Sequence, residues 1–308
     1  MSPSPPGRVP RPATDARADA GAQHVVRVDL HVHSSASDGE HSPPEVVRRA
    51  RAAGLDVIAL ADHDTLAGVA AARAAARDAE LQVIAACEFS VAAPWGEMHL
   101  LAYFLPLADA GLEGFLSGQR ARRAARGVTI VRRLQALGVA LTEADVRAAA
   151  GEGAVGRPHV AKALIARRFV STAQEAFDRY LGMGRPAYVP KELPPLAEVV
   201  ELVWGVGGVS SAAHLKARGD PQSLSRLKAA GVDAVEVIHP AHEPRTRRRL
   251  EEHARRAGLL LTGGSDWHGE SRVDESRGEL GSVTVPAAWL DALVERHTTR
   301  MAHLEVAR

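Results

Sequence analysis

Two histidines one residue apart, His31 and His33, close the apolar run VVRVDLHVH. On an extended strand, side chains two residues apart point to the same side, so both imidazoles could grip one cation. Asp266 and His268, in LLLTGGSDWH, repeat that spacing. Asp38, His63, Glu88, His99 and His214 add imidazoles and hard oxygen donors at or near other apolar runs. A histidine and carboxylate set without thiolates suits manganese, iron or zinc and excludes iron–sulfur clusters. Nine candidate donors are more than one ion with roughly four to six ligands can use. Two or three divalent ions are therefore expected, with manganese, iron and zinc all compatible. His24, His41, His242, His253, His297 and His303 fall in a tail, in loops or on helix faces and are read as ordinary histidines.

These residues need a scaffold that gathers them. From Val25 the chain alternates short apolar runs with amphipathic Ala/Arg/Leu stretches. VVRVDLHVH is followed by PPEVVRRARAAG, and DVIALADHD by LAGVAAARAAARDAE. LQVIAACE and MHLLAYFL come next, and after a gap GGVSSAAH, DAVEVIHP and LLLTGGSDWH. Such alternation predicts βα units around a mainly parallel sheet, whose buried strands read as near-continuous apolar runs. Nearly every predicted strand ends in a histidine or carboxylate, and in an α/β barrel the strand C-termini converge on one face. His99 is the departure, because it starts its run rather than ending it. Residues 105–189 read as helical throughout and form an insertion between a first barrel part, 25–104, and a second, 190–308. Residues 1–24, rich in Pro, Ala and Arg, read as a disordered tail. GSVTVP is expected as a last strand, and AAWLDALVERHTTRMAHLEV as a closing helix.

Composition narrows the class. With 46% apolar and 24% charged residues the chain is an ordinary globular one. A net charge of +1 gives no global basic field for nucleic acid. Only four of the 38 basic residues are lysines, so the available cationic contacts are mostly forked and bidentate. Cys87 stands alone, which excludes an internal disulfide framework and a cysteine-rich zinc module. No apolar run reaches the roughly 20 residues of a membrane helix, and the first residues carry no signal-peptide core. A cytoplasmic protein is expected, and no feature calls for an obligate protein partner.

The series DLHVHSSASDG, DHDT, Glu88, MHLLAYF, SSAAH and GSDWHG resembles the PHP (polymerase and histidinol phosphatase) superfamily over roughly residues 25–283. That resemblance implies a distorted (β/α)7 barrel with a trinuclear metal centre. It assigns His31, His33, Glu88 and Asp266 to a first metal, and Asp38, His63 and His268 to a second. Glu88 would bridge to a third metal held by His99 and His214. The narrower likeness is to 3′,5′-nucleoside bisphosphate phosphatases and 5′→3′ exoribonucleases, which place a helical insertion after the fourth strand. It implies substrate-phosphate contacts from Arg120 and Arg123 in QRARR and from Arg157 and His159 in GRPH. Arg157 and His159 also open a predicted helix, where free backbone N–H groups favour anions.

Phosphate-ester hydrolysis suits this equipment, because clustered divalent ions acidify water and neutralise phosphoryl charge. The expected reaction removes the 3′-phosphate of a nucleoside 3′,5′-bisphosphate to leave the 5′-monophosphate. Arg157, helped by Arg120 or Arg123, would clamp the phosphate that is kept. His159 and His239 are candidate proton donors to the leaving oxygen, while Asp62 and Asp64 flank a ligand and could orient it. The main alternative is an exoribonuclease gripping short 5′-phosphorylated RNA ends. A histidinol-phosphatase-like monoesterase would not need the arginine-bearing insertion. An amidohydrolase would need a mid-barrel lysine, yet none of Lys162, Lys191, Lys216 and Lys228 ends a predicted strand before the fifth. A non-catalytic metal-stabilised module is disfavoured by the complete donor set.

Overall fold

The structure, a computed structural model, describes residues 25–151, 153, 155–270 and 277–306. The expected tail, residues 1–24, lies outside them. The chain begins with β1 (Val28–Val32), α1 (Pro43–Ala52), β2 (Val57–Leu60), α2 (Val69–Ala79), β3 (Gln82–Ala93) and β4 (Gly96–Tyr103). A helical stretch follows: α3 (Ala110–Ala136), α4 (Glu143–Ala150), α5 (Arg157–Ala166) and α6 (Ala173–Ala176), which runs into a π-helical turn at Phe177–Leu181. The chain then completes α7 (Leu196–Gly205), β5 (Val209–Ala212), α8 (Pro221–Ala229), β6 (Ala234–Ile238), α9 (Pro244–Arg256), β7 (Leu260–Gly263) and α10 (Ala287–Val306).

The seven strands form one sheet in chain order. β1–β2–β3 and β5–β6–β7 pair in parallel, whereas β4 is antiparallel to both β3 and β5. That reversal explains His99. The start of an antiparallel strand lies at the same end as the finishes of its parallel companions, and Ser90 pairs with His99 just past Glu88. The sheet closes on itself through the segment after β7. His33 N–H donates to Trp267 O and Asp266 N–H to His31 O, each at 2.9 Å. Gly264 makes the closure possible, since a Cβ there would stand 2.3 Å from His31 Cβ. Among the described residues no helix is long and apolar enough to cross a membrane.

GSVTVP does not form a strand. Only Val285 pairs, as an isolated bridge to Val28, because closure occurs through Trp267 and leaves no edge for an eighth strand. The closing helix α10 is fastened by Arg300, whose Nη2 lies 2.6 Å from Asp233 Oδ1.

Apolar strand faces and the covering helices fill the barrel core, while the helical stretch has a core of its own around Ile130, Leu134, Leu141, Val160 and Leu164. The helix α3 belongs to both. Leu112 and Leu116 pack on the barrel beside Phe89, and Ile130, Val131 and Leu134 enter the second core. Gln119, Arg123 and Arg126 continue the same inward stripe between them, at helical spacing. The fold thus presents a polar stretch of one long helix to the strand ends.

Candidate metal centre

All nine donors singled out in the sequence meet at the end of the barrel where the parallel strands finish. His31, His33, Glu88 and Asp266 form one group, and His33, Asp38, His63 and His268 another. A third joins His63, Glu88 and His99, and His214 Nε2 lies 3.1 Å from Glu88 Oε1. His33 Nε2 stands 3.3 Å from both Glu88 Oε2 and Asp266 Oδ1, and His31 Nε2 stands 3.4 Å from the same two atoms. His63 Nδ1 is 3.2 Å from Glu88 Oε2, His99 Nδ1 2.8 Å from Glu88 Oε1, and His268 Nε2 3.1 Å from Asp38 Oδ1.

These separations fit metal ions. Donors bound about 2.1 Å from one ion stand about 3.0–3.4 Å apart in tetrahedral or octahedral arrangements. The ring nitrogens His31 Nε2, His33 Nε2, His63 Nδ1, His99 Nδ1 and His268 Nε2 are buried without a hydrogen-bond partner. Buried polar atoms are rarely left so, and a cation is the partner their lone pairs suit. Electrostatics agree. Burial opposes the Glu88 charge, but His99, His63 and His31 hold its pKa well below the usual carboxylate range. Asp266 and Asp38 are held down likewise, by His31 and His268 for the first and by His268 and His63 for the second. Burial alone would depress His33, yet Asp266 and Glu88 push it up to about 9.

The backbone bends to deliver these groups. Asp64, His214 and Asp266 adopt φ values of 51°, 30° and 54°, a left-handed region that costs non-glycine residues about 1–3 kcal/mol. Asp62 shapes the loop that carries Asp38, accepting from Ser34 N–H, Ser34 Oγ and Ser37 Oγ at 2.8, 2.6 and 2.6 Å. Asp64 instead turns outward to Arg123, whose Nε donates to its Oδ2 at 2.5 Å.

Two cavities adjoin the cluster. The inner one, about 110 Å³, lies over Glu88, His214, His239 and Asp266. The outer one, about 230 Å³, is walled by Arg123, Arg126, Arg157, Phe177 and Lys191, and shares His63, His99 and Arg277 with the inner. Arg157 rests over Phe177 and Tyr188 at 5.7 and 5.6 Å from their ring centroids. Arg120 lines neither cavity, being tied to Asp64 O at 3.1 Å and Glu113 at 2.5 Å. His159 lines neither as well; its Nδ1 accepts from Gly156 N–H at 3.0 Å and caps α5. His239 Nδ1 accepts from Ala241 N–H at 3.0 Å, and its Nε2 faces Asp266 Oδ2 at 3.6 Å.

Sequence reasoning missed Arg126, Lys191, Arg277 and Glu236. Arg126 was within reach, since it continues the inward stripe of Leu112 and Leu116, whereas Arg120 falls off it. Lys191 pairs with Glu97 across 94 residues, and no local pattern signals such a contact.

The PHP domain model matches residues 29–123. The chain is 32% identical over 247 residues to a 5′-3′ exoribonuclease of Haemophilus influenzae, covering 79% of this chain and 90% of that one. It is 31% identical over 252 residues to a 3′,5′-nucleoside bisphosphate phosphatase of Chromobacterium violaceum, with 79% and 88% covered. A solved structure from Bifidobacterium adolescentis, assigned as a metal-dependent phosphoesterase, superposes with a TM-score of 0.79 at 32% identity, over 87% of this chain and 96% of that one. With its donors gathered on a closed seven-stranded barrel, this chain belongs to the PHP family of metal-dependent phosphoesterases.

Proposed function

We propose that the protein hydrolyses the 3′-phosphate of nucleoside 3′,5′-bisphosphates and releases nucleoside 5′-monophosphates. One observation carries this reading: a cationic cavity opens directly onto the candidate metal cluster. A monoester needs only the cluster, whereas a substrate with two phosphates needs an anchor for the second. Arg157 and Arg126 offer that anchor, with Arg123 and Lys191 in the same wall, and guanidinium groups bind phosphate through paired hydrogen bonds.

The nine donors are assigned as the ligands of two or three divalent ions, with manganese the expected loading. When bound, such ions supply the Lewis acidity that activates water and offsets phosphoryl charge. The chain's own residues do the rest. The outer-cavity arginines hold the retained phosphate and so fix which ester reaches the cluster. Glu88, whose two oxygens face different histidines, spans the cluster. His239 is the better placed proton donor: its Nδ1 is occupied as an acceptor, so the proton of the neutral ring sits on Nε2, toward the inner cavity. The same logic puts the His159 proton on Nε2, and the residue lines neither cavity, which leaves it a cap for α5. Asp62 orders the Asp38 loop.

A second reading is a 5′→3′ exoribonuclease, favoured by the likeness to the Haemophilus influenzae protein of that name. The same anchor would hold a 5′-phosphorylated RNA end. Competition separates the two readings. Adenosine 3′,5′-bisphosphate and a 5′-phosphorylated oligoribonucleotide would be supplied together to manganese-loaded protein. Preferential consumption of the bisphosphate supports the proposal, and preferential shortening of the RNA replaces it with the second reading.

A further inference from the structure

The barrel interior holds a carboxylate that the nine-donor set does not include. Glu236 lies on β6, where Val235 and Val237 face the covering helices while Ala234, Glu236 and Ile238 alternate to the other side. It is fully buried. An isolated carboxylate in such a place would be strongly unfavourable, so its partners define its role. Both oxygens are engaged. Oε1 lies 2.9 Å from His31 Nδ1, and Oε2 accepts the backbone N–H of His214 at 2.8 Å. These contacts reach two different parts of the cluster. His31 sits with Glu88 Oε2 and Asp266, and His214 with Glu88 Oε1.

We propose that Glu236 is a positioning residue coupling two of the candidate metal subsites. It keeps the proton of His31 on Nδ1, and it fixes the His214 backbone. The first effect concerns which ring nitrogen is available. With Nδ1–H donated to Glu236, the lone pair of His31 is on Nε2, the atom left without a hydrogen-bond partner beside Glu88 and Asp266. A histidine ligand held by a carboxylate on its far nitrogen is both oriented and made more basic. The second effect is conformational. His214 has φ of 30°, a conformation that persists only where neighbours impose it, and the bond from its N–H to Glu236 is such a restraint. Glu236 could in principle be a ligand itself, since it also neighbours His239. That would require His31 to give up its Nδ1 proton and His214 its acceptor, so the geometry favours positioning.

This inference rests on the metal-centre reading, and its test is built to separate the two. The substitution Glu236→Gln keeps size and shape but has only one acceptor oxygen. If that oxygen serves His214, the amide NH2 faces His31 Nδ1 and drives the ring proton to Nε2, which blocks the ligand atom. If it serves His31, His214 is released. In either case the Asp38, His63 and His268 group is untouched. Manganese bound at equilibrium would be counted by elemental analysis over a range of free metal. The variant is expected to lose one or more equivalents of tight binding by about 10–100-fold while retaining one. Unchanged stoichiometry and affinity would overturn the proposal, as would complete loss of binding from a folded variant. Wild-type protein that binds no manganese would overturn the metal reading instead. A second measurement does not depend on the variant folding: nitrogen-15 NMR of wild-type protein loaded with diamagnetic zinc should find the single His31 ring proton on Nδ1. A single ring proton on Nε2 would refute the coupling directly.

Discussion

Arg123 donates from Nε to Asp64 Oδ2 at 2.5 Å and from Nη2 to Ser90 Oγ at 3.2 Å, so the middle of α3 is locked to the two segments that carry His63 and Glu88. Asp64 follows His63 and Ser90 lies two residues beyond Glu88, and His63 and Glu88 are both candidate metal ligands. The Arg123 and Asp64 side chains are only 14% and 4% exposed. Arg123→Ala would leave the Asp64 carboxylate buried without its partner, a change that typically costs about 3–5 kcal/mol. A lowered urea midpoint together with a raised KM for bisphosphate is the expected outcome. Lysine should rescue little, because it cannot reproduce the fork that reaches Asp64 and Ser90 together. Full rescue by Arg123→Lys would mean that charge alone matters there.

Arg157 differs, because its partners are aromatic faces and the Leu181 carbonyl at 3.4 Å rather than a carboxylate. Arg157→Ala should cost little stability and act on the substrate's second phosphate. Hydrogen bonds to charged groups contribute about 1.5–3 kcal/mol, roughly a 10–100-fold rise in KM for a 3′,5′-bisphosphate. For adenosine 3′-monophosphate, which lacks the anchored group, KM should hardly move. Equal losses on both substrates would contradict the clamp.

Barrel closure makes a prediction about glycine. Gly264→Ala would force a Cβ to within 2.3 Å of His31 Cβ and 2.5 Å of His31 N. No flexible side-chain end can yield there, so β1 and the segment after β7 must part. A lower melting temperature and weakened manganese binding are expected. Gly114→Ala, on α3 with open space around its Cβ, is the control, expected to be stabilising by up to about 1 kcal/mol.

His159 makes stability depend on pH. Burial holds its pKa below the ordinary 6.5, and its neutral Nδ1 accepts the Gly156 N–H. The unfolded chain therefore binds the proton more readily, so this contribution is fully present above about pH 6.5 and fades as pH falls below it. In chelator, the urea midpoint of wild-type protein should fall more steeply between pH 7.5 and 5.5 than that of His159→Gln, whose amide oxygen can still cap α5. Parallel slopes would show that the cap does not titrate.

The sequence made the donors legible because strand ends are local features. The i, i+2 pairs His31/His33 and Asp266/His268 need no tertiary knowledge. His99 looked misplaced only because sequence does not state strand direction, and the antiparallel β4 resolves it. Glu236 was hidden for a different reason. A lone acid in VEVIH reads as an ordinary strand residue, and its partner His31 is 205 positions away. The arginines were legible by type but not by phase: the apolar stripe of α3 selects Arg123 and Arg126, and the cluster QRARR by itself does not. GSVTVP carried strand-like residues but found no edge to join.

The proposed reaction removes the 3′-phosphate of a bisphosphate at a metal-dependent site while the 5′-phosphate is anchored. The direct measurement is product analysis after manganese-loaded protein acts on adenosine 3′,5′-bisphosphate, with and without a chelator. Equal amounts of inorganic phosphate and adenosine 5′-monophosphate are expected, with both abolished by the chelator. Adenosine 3′-monophosphate as the product, or no phosphate release from protein shown to hold metal, would contradict the proposed reaction.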